Sequence, residues 1–190
     1  MKGARTGVAA LLVLCCIAPA AAAAEITLPL DAQASSLTFA ISRPGETIEG
    51  TARRFEGEVT FDPQDLTRGG STVLRVQAVS LETGNRLRDR KMRNTHLEVE
   101  RFPEIVFKST SIRVVGSGKA LVEGVLSLHG VDRTLMVPAT IRYDSGVLTA
   151  EGNADLTYSD FRIPIPRFLW LVMDDVIAVH FRLVAGTAPR

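Results

Sequence analysis

From Glu25 onward, apolar and polar residues alternate with a period of two, the pattern of strands buried on one face only. Leu37, Phe39 and Ile41 alternate with Thr38, Ala40 and Ser42, and Leu74, Val76 and Ala78 with Arg75, Gln77 and Val79. Further on, Leu135, Val137, Ala139 and Ile141 alternate with Thr134, Met136, Pro138, Thr140 and Arg142, and Ile177, Val179, Phe181 and Leu183 with Ala178, His180 and Arg182. Turn residues part these runs at Asp62-Pro63, Gly69-Gly70, Gly116-Ser117-Gly118, His129-Gly130-Val131-Asp132 and Asp144-Ser145-Gly146, where antiparallel hairpins need them. The pattern predicts strands near Ile26, then over Leu37 to Ser42, Ile48 to Phe61, Thr72 to Leu81, Glu104 to Val115, Ala120 to Leu128, Thr134 to Tyr143, Leu148 to Tyr158 and Val176 to Ala185.

Two stretches depart from it. Asn85 to Asn94 is dense in arginine and lysine and has no β-branched residue, so a short helix is expected, with Asp89 and Arg93 as an i, i+4 pair. Ile163 to Trp170 holds Pro164 and Pro166, each of which removes a ladder donor. A loop at one end of the fold is expected there, and Phe168, Leu169, Trp170 and Leu171 would either plug that end or touch a membrane transiently.

Strands in this number make a sandwich or a barrel, and only closure removes the exposed edges. The expected fold is all-β: a closed antiparallel eight-stranded β-barrel with one short helix between strands. A barrel of this size either fills with its own side chains or encloses one small ligand. Small inward residues, namely Ala78, Val122, Gly124, Ala139, Ala150, Gly152 and Ala154, leave room for a ligand and equally fit the taper of a filled core. Both readings stay open on pattern alone.

The N-terminus changes the setting. Lys2 and Arg5 precede an apolar run from Val8 to Ile17, then Pro19 and a tract of alanines ending at Ala24. This is the layout of a secretory signal peptide, too short for a membrane span. Residues 1–24 are thus expected to be removed, leaving 25–190 as one domain in the periplasm. Cys15 and Cys16 leave with the signal, and loss of Lys2 and Arg5 takes the formal net charge from +1 to −1. Nucleic acid is excluded as a partner on charge, and stability must come from a packed core.

Catalytic chemistry has little to stand on. His96, His129 and His180 are far apart in sequence without the His/carboxylate spacing of a zinc site, and His180 has outward parity. There is no Gly-x-Ser-x-Gly elbow. Gly116-Ser117-Gly118-Lys119 lacks the remaining residues of a phosphate loop, with Arg113 and Ala120 at the deciding positions. Asp174-Asp175 and the pair Glu98, Glu100 read as solvated surface. No catalytic residue, metal or cofactor is expected. The basic cluster Arg86, Arg88, Arg90, Lys91 and Arg93 reads as a solvated helix face or, beside a barrel mouth, as a binder of a lipid head group.

The stretch from Thr83-Gly84-Asn85-Arg86-Leu87-Arg88-Asp89 through Arg93-Asn94, followed by Arg101-Phe102-Pro103-Glu104-Ile105-Val106-Phe107-Lys108-Ser109-Thr110, resembles the signature of the YceI-like, lipid- or polyisoprenoid-binding family. Further matches lie in order at Phe55 to Asp62, Gly124 to Val131 and Tyr158-Ser159-Asp160-Phe161. Departures fall at Arg43 and Lys91, each where the family often has His, at His96-Leu97-Glu98 and at Arg162. The resemblance implies a lipocalin-like barrel outside the cytoplasm that carries a long-chain isoprenoid or similar amphiphile in its lumen. With inward parity, the expected lining is Leu37, Phe39, Ile41, Leu74, Val76, Phe107, Leu126, Val137, Ile141, Ile177, Val179 and Phe181, and Arg88 and Arg90 are the head-group candidates. The competing reading is a filled barrel acting as a structural or protein-interaction module.

Overall fold

The computed structural model describes residues 24–168 and 171–186. Residues 1–23 of the expected signal segment lie outside them, as do Leu169 and Trp170. Thirteen strands run in chain order: β1 (Ile26–Pro29), β2 (Ser36–Arg43), β3 (Glu46–Ala52), β4 (Phe55–Phe61), β5 (Gly70–Gln77), β6 (Leu81–Glu82), β7 (Glu104–Gly116), β8 (Lys119–Leu128), β9 (Val131–Asp144), β10 (Val147–Thr157), β11 (Arg167–Phe168), β12 (Leu171–Val172) and β13 (Val176–Ala185). Among the described residues one α-helix, α1 (Arg86–Lys91), follows β6 and continues as a π-helical turn over Met92–His96.

Eleven strands form one antiparallel sheet in the order β1-β4-β5-β7-β8-β9-β10-β13-β2-β3-β6, and β11 and β12 pair separately. This corrects the expected closed ladder of eight strands: the hydrogen-bonded series has eleven members and ends on β1 and β6. The sheet is nonetheless strongly curled. β3 and β4 stand near opposite ends of the ladder, yet only Arg53 and Arg54 join them, so the two flanks must meet there. Arg53 N–H donates to the Ser80 carbonyl at 3.2 Å and Gln77 N–H to the Arg54 carbonyl at 3.0 Å, fixing that corner. At the other end, Leu30 bridges Ala185, and Gly186 N–H donates to the Pro29 carbonyl at 2.9 Å.

The chemistry of the corner explains why the expected strand from Ile48 to Phe61 breaks. Gly50 and Ala52 are buried before it and Phe55, Val59 and Phe61 after it, whereas Arg53 and Arg54 are both exposed. Two successive outward residues invert the parity and turn the chain. The expected strand to Leu81 breaks likewise, at a 3-10 turn over Ala78–Ser80. Elsewhere the expected hairpins form: His129-Gly130 and Ser145-Gly146 both take positive φ at each position (52° and 72°, 50° and 82°), as a two-residue turn matched to strand twist requires.

Apolar side chains pack at the two ends of the curled sheet. One cluster joins Ile41, Leu126, Leu128, Tyr158, Phe161 and Ile163, and another joins Val59, Phe61, Leu148 and Ala185. A third joins Ala52, Phe55 and Val76 beside the corner at Arg53 and Arg54, and the interior that the clusters surround is open.

Candidate functional site

A cavity of about 810 Å3 occupies the inside of the curl, toward the upper end of the ~300–1,000 Å3 typical of small-molecule sites. All twelve residues of the expected lining stand on its wall. They do so because successive side chains alternate faces on each strand, as in β13, where Ile177 and Val179 are half-buried between exposed Val176, Ala178 and His180. The wall of the strand region is mostly apolar, with Thr38, Thr60 and Thr72 among its members. Charged and other polar groups come from the β2–β3 hairpin, α1 and its flanks, and the segments after β10: Arg43, Glu46, Thr83, Asn85, Arg88, Lys91, His96, Tyr158 and Arg167.

The volume depends on a pairing that hydrophobic parity alone does not show. Phe39 sits directly opposite Gly50, and Phe181 opposite Gly152. A Cβ at Gly50 would lie 2.2 Å from the Phe39 ring, one at Gly152 2.7 Å from the Phe181 ring, and one at Gly124 2.5 Å from the Phe107 ring. Each ring lies flat over a glycine instead of standing into the lumen, so three large side chains thicken the wall without filling the space. Gly124 and Gly152 are therefore not free room, correcting the expectation from their size. Ala78, 2 % exposed, lies off the cavity, whereas Val122, Ala139, Ala150 and Ala154 do border it. Gly152→Ala would also bring its Cβ within 2.4 Å of the Pro138 carbonyl oxygen, which the sheet holds in place. A loss of about 1–3 kcal/mol is expected, read as a lower denaturation midpoint with unchanged slope.

The basic helix is built differently from expectation. Asn85 caps it, its Oδ1 accepting from Leu87 and Arg88 N–H at 3.1 Å each. Asp89 is buried and does not pair with Arg93; its Oδ1 accepts from Thr83 N–H at 2.8 Å and Thr83 Oγ1 at 2.6 Å. Arg93 instead donates to the Leu81 carbonyl. Arg88 borders the cavity, but its Nε and Nη2 donate to Thr83 Oγ1 and the Thr83 carbonyl. Arg90 is exposed and off the cavity wall, so the curl does not bring the two head-group candidates together. The loop expected from Ile163 closes with the small β11–β12 pair, and the plug or membrane role of Phe168 to Leu171 falls on side chains outside the described residues.

His96 is buried, and its Nδ1 lies 2.8 Å from the Pro164 carbonyl. Since a carbonyl only accepts, Nδ1 carries the proton and Nε2 of the neutral ring is an acceptor. Burial, reinforced by the Lys91 charge, pushes its pKa below the ordinary histidine value, against the pull of the Pro164 bond. The folded protein thus binds this proton more weakly than the unfolded chain, so the associated stability is full above the ordinary value and lost as pH falls below it. Thermal melts from about pH 8 to about pH 5 should show this decline, and His96→Gln should flatten it.

The structure also joins groups that sequence kept apart. His129 Nε2 lies 2.9 Å from Glu98 Oε2, and its Nδ1 3.2 Å from the Phe161 carbonyl. Glu98 also accepts from Arg101 at 2.8 Å, and these bonds, Arg101 first, hold its carboxyl below the usual range. The Phe102 ring packs against the His129 ring, tilted by 59° with centroids 4.6 Å apart. This is a clasp between two loops. Among the described residues no group of three His, Cys, Asp or Glu is placed to hold a metal ion.

A model of the YceI-like domain matches residues 29–185. The chain belongs to the YceI-like family. Among curated members, a UPF0312 protein of Vibrio parahaemolyticus is 29% identical over 162 residues, covering 75% of this chain and 85% of that one. For UPF0312 proteins of Vibrio cholerae the match is 29% over 122 residues and spans 64% of their length. Among solved structures, Burkholderia cenocepacia BcnA superposes with a TM-score of 0.76 at 23% identity, covering 83% of this chain and 99% of that one. A polyisoprenoid binding domain from Saccharophagus degradans, described as implicated in plant cell wall breakdown, gives 0.69 at 19% identity, covering 85% and 98%. At these identities the two structures establish a shared fold. They match the curled antiparallel wall that, in this YceI-like chain, surrounds the cavity.

Proposed function

We propose that this YceI-like protein is an exported carrier or sequestering protein that holds a long-chain isoprenoid or similar amphiphilic lipid in its lumen, without catalysing a reaction. The observation that carries the reading is the apolar cavity of about 810 Å3, kept open by three rings laid over glycines. A filled structural barrel, the competing reading, would place side chains in that space. The fold shared with a polyisoprenoid binding domain supports the ligand class. The basic residues, short apolar run and alanine tract of the first 24 residues support a periplasmic location.

A lipid held by burial of apolar area gains affinity with each added methylene, at roughly 0.8 kcal/mol per CH2. Titration with a homologous series of long-chain alcohols is therefore expected to show affinity rising steeply with chain length and then levelling off when the lumen is full. Affinity independent of chain length would count against a lumenal site.

A further inference from the structure

At the polar end of the cavity two side chains hold unused hydrogen-bonding capacity. Tyr158, 5 % exposed, borders the cavity, and its hydroxyl bonds to no described residue. Among the described residues no buried side-chain nitrogen or oxygen that is sealed from free space lacks a partner, so this hydroxyl opens onto space. His96, 8 % exposed, borders the same cavity. Its Nδ1 is spent on the Pro164 carbonyl, and Nε2 is left without a described partner. The two are fixed at one end by chain geometry: Tyr158 accepts from Ile163 N–H at 3.0 Å through its own carbonyl, and Ile163 is followed by Pro164, which holds His96.

We propose that Tyr158 and His96 form the head-group site of the lumen, and that they select a lipid ending in a neutral hydroxyl. The Tyr158 hydroxyl donates to the ligand oxygen, and the ligand hydroxyl donates to His96 Nε2. This rests on the reading that the lumen holds a lipid, and goes beyond it by naming the head group. A carbonyl head group would accept from Tyr158 but offer His96 no proton. A phosphate or carboxylate would face the lone pair of His96, and three of the four basic residues on the cavity wall, all but the exposed Arg167, are already engaged. Arg43 pairs with Glu46, Arg88 with Thr83, and Lys91 Nζ donates to the Arg167 carbonyl at 3.3 Å. Arg88 and Arg90 are accordingly replaced as head-group candidates.

The test uses the full mature chain with three probes of one hydrocarbon tail: geranylgeraniol, its methyl ether and its monophosphate. The wild-type protein is expected to bind the alcohol about tenfold more tightly than the ether, which cannot donate, and more tightly than the phosphate. Tyr158→Phe removes an oxygen with no internal partner and keeps the ring, so it should fold normally. It is expected to weaken the alcohol several-fold more than the ether. His96→Leu should narrow the alcohol-to-ether ratio toward one, and His96→Gln, which retains an acceptor, should restore part of it. Tight but equal binding of alcohol and ether by the wild type overturns the head-group site and leaves the lumenal reading standing, and a preference for the phosphate overturns it in favour of an anionic ligand. Failure to bind any of the three overturns both.

Discussion

Ala154→Phe is expected to abolish retention of long-chain lipid while leaving the protein folded. Ala154 lies on β10 opposite Val179, and both border the cavity. Unlike Gly152 one step along the same face, it already directs a Cβ into the lumen, so a larger side chain extends into empty space rather than into the sheet. Displacing about 100 Å2 of buried ligand surface forfeits roughly 2.5 kcal/mol at 25 cal/mol per Å2. That is nearly a hundredfold in affinity. In a filled barrel the same substitution would overpack the core and cost about 1–3 kcal/mol of stability. Measuring lipid affinity and melting temperature on one sample separates the cases: weakened lipid with an unmoved melt marks a real lumen, and a depressed melt marks a packed interior.

The second large effect is expected at Phe161, whose side chain is 1 % exposed. It packs with Ile41, Leu126, Leu128, Tyr158 and Ile163 in a 3-10 turn, Ser159–Phe161, that ends at Arg162 in the left-handed region. Its removal leaves a hole that the turn and the strands β2 and β8 cannot close. Phe161→Ala should cost about 3–5 kcal/mol, or a fall in melting temperature of roughly 10 °C for a domain of this size. Because Phe161 does not border the cavity but only backs Tyr158 and Ile163, which do, lipid affinity of the protein that remains folded should fall far less than stability. An equal loss in both would mean that the end cluster and the lumen are not separable.

These two residues show what was legible along the chain. Period-two alternation on strands longer than five residues determines which side chains face inward, which is why the twelve parity-chosen residues share one wall. Parity fails where the backbone slips. Arg53 and Arg54 invert it between β3 and β4, and Thr110 is the extra residue in β7 between the pairs Ser109–Gly124 and Ser111–Glu123. Neither slip leaves a turn signal, so the number of strands and the way the flanks meet were not readable, whereas strand positions were.

The site was harder to read than the wall. Asn85, Arg88 and Asp89 stand out in sequence, but the structure spends them on building the helix through Thr83. The partner of Asp89 is a hydroxyl and an amide, not the i+4 arginine, because the side chain turns inward onto Thr83 while Arg93 reaches the Leu81 carbonyl. His96 and Tyr158 carried no spacing that links them. They converge only because the chain from β10 folds back over the end of the lumen, a long-range contact with no local pattern. The glycines at 50, 124 and 152 were visible as inward small residues, but that each lies under an aromatic ring follows from cross-strand register.

The lumen is expected to carry one lipid. Native mass spectrometry of the protein purified from the cell envelope and exchanged against geranylgeraniol tests it most directly. A single adduct per chain is expected, of the mass of one lipid, which is lost in Ala154→Phe. A wild-type protein that flies only as bare polypeptide, or takes up the alcohol without fixed stoichiometry and equally well in Ala154→Phe, would contradict it.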